Sequence, residues 1–206
     1  MNFFQLLFKI KSLIFYYFNA GGANDFHSPF IFDFYNEVIL AKKEFYVFNL
    51  FRSILSDKKY FVSQDRIFFL FRWVHFYKPK NVYVDSKNFP VSLAMGISCL
   101  NKELQYRSLE NLSDYEIELY EINNIKLTEG LNADLGYFSD IDYSLKFKLG
   151  FFNCLIIENP HKNKTKELIW NELCQVKTVS VSIDLLKFGI LLINRNQVKE
   201  HFVVKM

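Results

Sequence analysis

The stretch Pro79-Lys80-Asn81-Val82-Tyr83-Val84-Asp85-Ser86-Lys87-Asn88-Phe89-Pro90-Val91-Ser92-Leu93-Ala94-Met95 decides the fold. Val82-Tyr83-Val84 is a short β-branched and aromatic run bounded by a proline before it and polar residues after it, the pattern of a strand. Residues 91–100 then carry an apolar helical pattern. The same alternation continues downstream. Residues 104–109 read as a second strand, and Ser113-Asp114-Tyr115-Glu116 is a capping box that opens the next helix, with Leu112 and Ile117 placed as a hydrophobic staple. Residues 124–127, 134–138 and 151–157 read as further strands, residues 164–174 as a helix that presents Ile169 and Leu173. Residues 176–183 and 188–193 are the last strong strand signals, with 201–205 as an extension. Strands alternating with helices predict an α/β fold whose mainly parallel sheet is covered on both faces. In such sheets ligands bind beyond the carboxyl ends of the strands.

Upstream of Pro79 the chain reads as helical. Ser28-Pro29 places an N-cap residue before a proline at the first helical position, predicting a helix through Leu40. Ser63 stands before another helix, in which Ile67, Leu70, Phe71 and Val74 recur at helical spacing. There are no repeats and no Pro/Ser-rich linker. The expected organisation is one compact unit, with a helical extension over residues 1–78 packed on a core over residues 79–206.

Residues 3–18 are mostly apolar, with Gln5, Lys9, Ser12 and Tyr16 forming one narrow polar stripe. Lys11 falls off that stripe and has to snorkel. The uncharged run from Ser12 to Ala23 is too short to span a bilayer. Lys9 and Lys11 follow the apolar residues where a signal peptide would have them precede. The stretch is therefore expected to be an amphipathic helix, packed on its own domain or a sister subunit, with a membrane surface as the alternative.

Composition narrows the function classes. Net charge is +3 with Lys and Arg spread along the chain, so no basic footprint for nucleic acid is present. Cys99, Cys154 and Cys174 are odd in number, far apart and set among apolar residues, which predicts buried reduced thiols and a cytoplasmic protein. No pair has the spacing of zinc ligands, and no metal site is expected. The chain carries 24 Phe and 12 Tyr but only 7 Gly. At average usage a chain of this length would hold about fourteen glycines. Few glycines leave few positions where backbone can take positive φ or press against a phosphate or cofactor.

Several segments resemble one family. His27-Ser28-Pro29-Phe30, Phe76-Tyr77-Lys78-Pro79-Lys80, Glu158-Asn159-Pro160-His161, Trp170, Val179-Ser180-Val181-Ser182-Ile183-Asp184-Leu185, Phe188-Gly189-Ile190 and His201-Phe202-Val203 resemble, in order and spacing, small bacterial class I S-adenosylmethionine (SAM)-dependent methyltransferases with an N-terminal helical extension. The resemblance implies a Rossmann-like sheet, mostly parallel, with helices on both faces and an antiparallel C-terminal strand. It also implies SAM as cofactor and methyl transfer to an oxygen or nitrogen of a small molecule. The family ends its first strand in an acidic residue and a glycine-rich turn. Here the corresponding residues are Val84 to Pro90, without glycine, and Pro90 stands about where a second turn glycine would. A gap-free match places Val84 at the acidic position, with Asp85 beside it.

By the same resemblance, the cofactor-binding candidates are Asp85, Ser86 and Glu110. Glu110 is the carboxylate expected beyond the second strand, where two lone-pair-rich oxygens can accept from ribose hydroxyls. Asp134 to Asp140 corresponds to a fourth strand and its acidic end, followed by a shortened segment. The catalytic candidates are His27, Glu158 and His161. Neutral imidazole accepts a proton near pH 7, so His27 is either a base over the cleft or merely part of the helix start at Ser28. Asn159 stands where the family has a second acid, which weakens a divalent metal site. His75 and His201, among aromatic and aliphatic neighbours, read as structural, and the aromatic run over residues 68–76 as core or subunit interface. Two functions therefore stand at this stage: a SAM-dependent methyltransferase of a small molecule, or a degenerate non-catalytic scaffold, self-associating through its aromatic helices or resting on a membrane surface.

Overall fold

The computed structural model describes the chain apart from residues 1, 2, 23, 24, 26, 42, 58, 86, 87, 108, 110 and 111, and apart from the side chains of residues 3, 4, 5 and 9. Two compact units emerge, His27–Asp134 on one side and Met1–Phe26 with Leu135–Met206 on the other. The division thus falls at Phe26 and Asp134 rather than at Lys78.

The first unit contains helices α2 (Pro29–Phe34), α3 (Phe48–Ser56), α4 (Gln64–Tyr77), α5 (Phe89–Ser98) and α6 (Asp114–Ile122), with strands β1 (Asn81–Asp85), β2 (Glu103–Tyr106) and β3 (Lys126–Glu129). Its strands run parallel in the order β3-β2-β1. The helix expected after Ser28 reaches Leu40, but its second half, Tyr35–Leu40, is wound as a π-helix. Ser28 and Ser63 hold the N-cap positions in extended backbone, yet neither side chain accepts a capping bond. Ser113 does cap, taking the Glu116 N–H while the Glu116 carboxylate takes its own. α3 has no counterpart among the predicted elements. It buries Phe48, Phe51 and Ile54, and Phe48 lies flat on Phe68 with ring centroids 3.8 Å apart. The run over residues 68–76 is core, as read: Phe68, Phe69, Leu70, Phe71, Trp73 and Val74 are all buried.

α5 starts at Phe89, two residues earlier than its periodicity suggested, because Pro90 fits the first turn, where the missing N–H has no partner to lose. Phe89 and Pro90 are buried, and Phe89 meets Tyr120 edge to face. Beneath them runs a chain of hydroxyls. Ser92 Oγ lies 2.7 Å from the Tyr120 hydroxyl, which lies 2.7 Å from that of Tyr106. Burial pushes the Tyr106 phenol up to about 12 and raises Tyr120 as well, so both remain neutral donors. Tyr120→Phe is expected to strip the Tyr106 hydroxyl of that partner and to cost about 1–3 kcal/mol. Urea unfolding should show a lower midpoint at unchanged slope; an unchanged midpoint would show that the hydroxyl chain contributes nothing to stability.

The second unit contains α1 (Phe3–Asn19), α7 (Leu145–Lys148) and α8 (Lys164–Gln175), with β4 (Leu135–Phe138), β5 (Cys154–Glu158), β6 (Val179–Asp184), β7 (Phe188–Ile193) and β8 (Glu200–Val203). Its strand order is β4-β5-β7-β6-β8. β4 runs parallel to β5, β7 antiparallel to both β5 and β6, and β8 parallel to β6. Every residue of β4 to β7 is buried; β5 and β7 are near-continuous apolar runs, as strands covered on both sides require, whereas β6 alternates apolar residues with the buried Ser180, Ser182 and Asp184. Residues 149–151 form a 3-10 turn, so β5 begins at Cys154 and not at Phe151. The chain's ends are tied together: Gly21 bridges Val204, and the Tyr16 hydroxyl donates to the Val204 carbonyl at 2.5 Å while accepting the Met206 N–H. Among the described residues no helix is long and apolar enough to cross a membrane.

The glycine shortage has a structural counterpart. Among the described residues the positive-φ positions are Lys78, Lys102, Asn124, Asn159, Leu186 and Asn194, and none is a glycine. Three are asparagine, the non-glycine residue that best tolerates that region. Leu186, at φ 64°, is the bulky exception. Cys99, Cys154 and Cys174 are buried free thiols.

Candidate functional site

Three segments of the second unit converge at the carboxyl ends of β5 and β6. After Glu158 the chain turns through Asn159, whose positive φ is held by its N–H donating 2.8 Å to the Lys187 carbonyl. Asn163 then caps α8 by accepting the Lys166 N–H at 2.9 Å. Between these two points stands His161. Its Nε2 lies 2.6 Å from Asp184 Oδ2, and its Nδ1 lies 3.3 Å from Glu167 Oε1, one helical turn into α8. Asp184 is fixed in turn, its Oδ1 accepting the Leu186 N–H at 2.8 Å. The strained Leu186 backbone is thereby coupled to the orientation of the carboxylate.

Burial alone would push the His161 imidazole towards its neutral form, but the Asp184 hydrogen bond and charge, with Glu167 behind them, outweigh it and raise its pKa. Beside this group, Ser182 Oγ lies 2.7 Å from Nδ1 of His201, its register partner on β8. Burial lowers the His201 pKa against the pull of Asp184. The adjacent Cys174 thiol, on α8, is pushed up to about 12 by burial, so it is no nucleophile.

His161, Asp184, Glu167, His201 and Cys174 line one cavity of about 740 Å³, closed on its other side by Phe8, Lys11, Ser12, Phe15 and Tyr16 of α1. A second hollow of about 370 Å³ shares His161 and Ser12 and adds Leu13, Asn159, Lys162, Leu186 and Lys187. Volumes of several hundred Å³ with a few convergent polar groups are those of small-molecule sites.

Of the catalytic candidates, His161 stands on the wall of both these cavities. Glu158 ends β5 fully buried and accepts a short hydrogen bond from the Tyr137 hydroxyl. His27 is exposed ahead of α2 in the other unit. Asp85, exposed at the end of β1, hydrogen-bonds Tyr83, whose phenol is pushed up to about 12 by burial first and by that carboxylate second. Ser86 and Glu110 lie outside the described residues. Asp140, the acidic end after β4, pairs with Lys166 at 3.0 Å. The residues that sequence reading missed are Asp184, Glu167 and His201. His201, read as structural, pairs with Ser182 and also lines the cavity. Among the described residues no cluster of His, Cys, Asp and Glu could hold a metal ion.

No family model matches the chain, and no curated protein does. Solved structures do. A methyltransferase from Geobacter sulfurreducens is 11% identical over 76% of this chain and 93% of its own, with a TM-score of 0.53. An O-methyltransferase from Bacillus cereus, solved with S-adenosylhomocysteine (SAH), is 11% identical over 78% and 96%, TM-score 0.51. The O-methyltransferase TomG of tomaymycin synthesis in Streptomyces achromogenes, solved with SAM, is 10% identical over 79% and 96%, TM-score 0.51. This likeness establishes the fold: the chain has the Rossmann-like α/β fold of these methyltransferases, with a mostly parallel sheet whose antiparallel member here is β7. At such identities it is the fold that is shared.

Proposed function

We propose that this chain is a SAM-dependent methyltransferase acting on an oxygen or nitrogen of a small molecule, with His161 and Asp184 as its proton-accepting pair. The observation that carries the reading is His161, held by a fixed carboxylate on the wall of a cavity at the carboxyl ends of β5 and β6. SAM, when bound, supplies a sulfonium-activated methyl group. Its contacts are assigned to Asp85, Ser86 and Glu110, with carboxylates accepting from ammonium or hydroxyl groups. The exposed Asp85 carboxylate fits that task. The buried Phe89 and Pro90 do not form a glycine-type backbone cradle, so side chains would hold the ligand.

The chain's own chemistry is proton transfer. With Asp184 accepting the Nε2 proton, the Nδ1 lone pair is the one that can take a proton from the acceptor. The Glu167 contact, at 3.3 Å, is the longer of the two and is the one that an incoming hydroxyl or amine displaces. Asp184 then stabilises the imidazolium, as a carboxylate behind a histidine base does. Much of the remaining acceleration would come from positioning.

A specific observation favours a second reading, a non-catalytic binding module. The start of α5, where the family presents glycine backbone, is filled by Phe89 and Pro90 over the Ser92-Tyr120-Tyr106 hydroxyl chain. One experiment separates the two. Calorimetric titration with SAM and SAH, paired with thermal unfolding, is expected to give heat of binding and a higher Tm. Neither heat nor shift at millimolar ligand would overturn the methyltransferase reading and leave the binding module.

A further inference from the structure

Helix α1 is amphipathic, but its faces are reversed. Its polar residues Ser12 and Tyr16 are buried, while Leu6, Leu7, Ile10, Leu13, Ile14, Tyr17 and Phe18 are each more than two-fifths exposed, Phe18 by 87%. At 100° per residue these seven side chains fall within an arc of about 140° opposite Ser12. The hydrogen bonds of Tyr16 to the tail and the bridge of Gly21 to Val204 hold the helix this way round. Seven exposed apolar side chains gathered on one face of one helix are the kind of patch that marks an interaction surface.

The charges beside the patch say what covers it. On one flank Leu13 shares a hollow with Lys162 and Lys187, and on the other Lys11 shares the large cavity with Lys164. All four lysines are exposed. α1 itself carries no acidic residue. The acidic groups of the same walls, Asp184 and Glu167, are engaged by His161. A second copy docked on this face would bring two lysine rims together. An anionic surface meets the apolar face and both rims at once, with the long lysine stems reaching up to phosphate while the helix lies in the interface.

We infer that α1 docks this protein on the surface of an anionic lipid bilayer, its outward apolar face entering the headgroup region and Lys11, Lys162, Lys164 and Lys187 contacting acidic headgroups. The inference is independent of SAM binding and holds for either function above. It is tested with the full chain by co-sedimentation with vesicles of phosphatidylcholine alone and of phosphatidylcholine with one quarter phosphatidylglycerol. Partitioning to the mixed vesicles is expected to be at least about tenfold stronger, and to weaken in high salt as the charges are screened. Ile14→Asp and Phe18→Asp should abolish it. The pair Lys162→Glu with Lys187→Glu, on loops outside α1, should remove the preference for anionic vesicles and serves if an α1 variant fails to fold. Failure to sediment, equal binding to both vesicles, or a wild-type dimer that Ile14→Asp converts to monomer would each overturn the proposal, the last by naming a second copy as the occupant.

Discussion

Gly189→Ala is expected to cost about 3 kcal/mol, the upper end for overpacking a close-packed core, and to lower Tm by about 6–12 °C. A β-carbon at Gly189, in β7, would stand 2.5 Å from Cζ3 and 2.6 Å from Cη2 of Trp170. Neither side can yield cheaply. Trp170 is fully buried on α8, and Gly189 is paired with Ile157 of β5 and with Asp184 of β6. The glycine is required for the closeness of helix to strand, not for its φ. Gly150 supplies the control, since a β-carbon there meets nothing within 4 Å and its alanine variant should stay within about 0.5 kcal/mol of wild type. The clash also predicts coupling. Trp170→Leu should be strongly destabilising alone, yet the double variant should be more stable than the two losses together imply, by about 1 kcal/mol or more. Denaturant titration of the four proteins measures this. Strict additivity, or a Gly189→Ala variant near wild type, would refute the packing argument.

This contact also shows how the sequence carries its information. Phe188-Gly189-Ile190 and Trp170 drew notice as pieces of a resemblance, 19 residues apart, with no visible reason to belong together. The reason is one ring over one missing methyl, which only the register of α8 against β7 reveals. Strands β5 and β7 were legible because burial on both faces demands near-unbroken apolar runs, and β6 because its β-branched Val179, Val181 and Ile183 alternate with polar residues. The capping box of α6 was legible because its chemistry is local. Residues whose role is set across the chain were less so. The polar stripe of α1 was visible, but a polar stripe ordinarily faces water, and here Tyr16 is instead drawn in by the carbonyl of Val204 and the N–H of Met206. α3 was missed because only Phe48, Phe51 and Ile54 carry its period. The π-helical turn at Tyr35–Leu40 has no signature of spacing that differs from an ordinary helix. At the site, His161 could be singled out beside a strand end, whereas Asp184 ends another strand and Glu167 looked like one more polar residue of a helix. Their meeting is a property of the sheet order, not of any local motif.

Asp184→Asn should reverse the direction in which the His161 imidazole is shifted. In the native site burial opposes the charged ring, and the Asp184 and Glu167 carboxylates overcome that opposition to raise its pKa. Removing the nearer carboxylate charge, at 2.6 Å, while keeping a side chain able to accept from Leu186, leaves burial against Glu167 alone, at 3.3 Å. The titration midpoint of His161, followed by proton NMR of its ring, is expected above the ordinary value of about 6.5 in the wild type and to fall in the variant. Stability follows with a definite sign. A folded-state pKa raised above the unfolded one contributes stability that is fully present below about pH 6.5 and is lost as pH rises through the raised folded value. The stability gap between wild type and Asp184→Asn should therefore be widest near pH 5.5, where the hydrogen bond joins two charges, about 1.5–3 kcal/mol for such a bond. It should narrow as pH rises through the raised folded value, above which His161 is neutral in both proteins. If SAM binds, the same substitution separates chemistry from structure. A base that has lost its carboxylate should slow transfer to any acceptor hydroxyl by about 10²-fold or more while leaving SAH affinity unchanged, because no contact to SAM is assigned to Asp184. A midpoint indifferent to Asp184, or a stability gap that widens with rising pH, would show that the dyad carries neither the proton nor the fold.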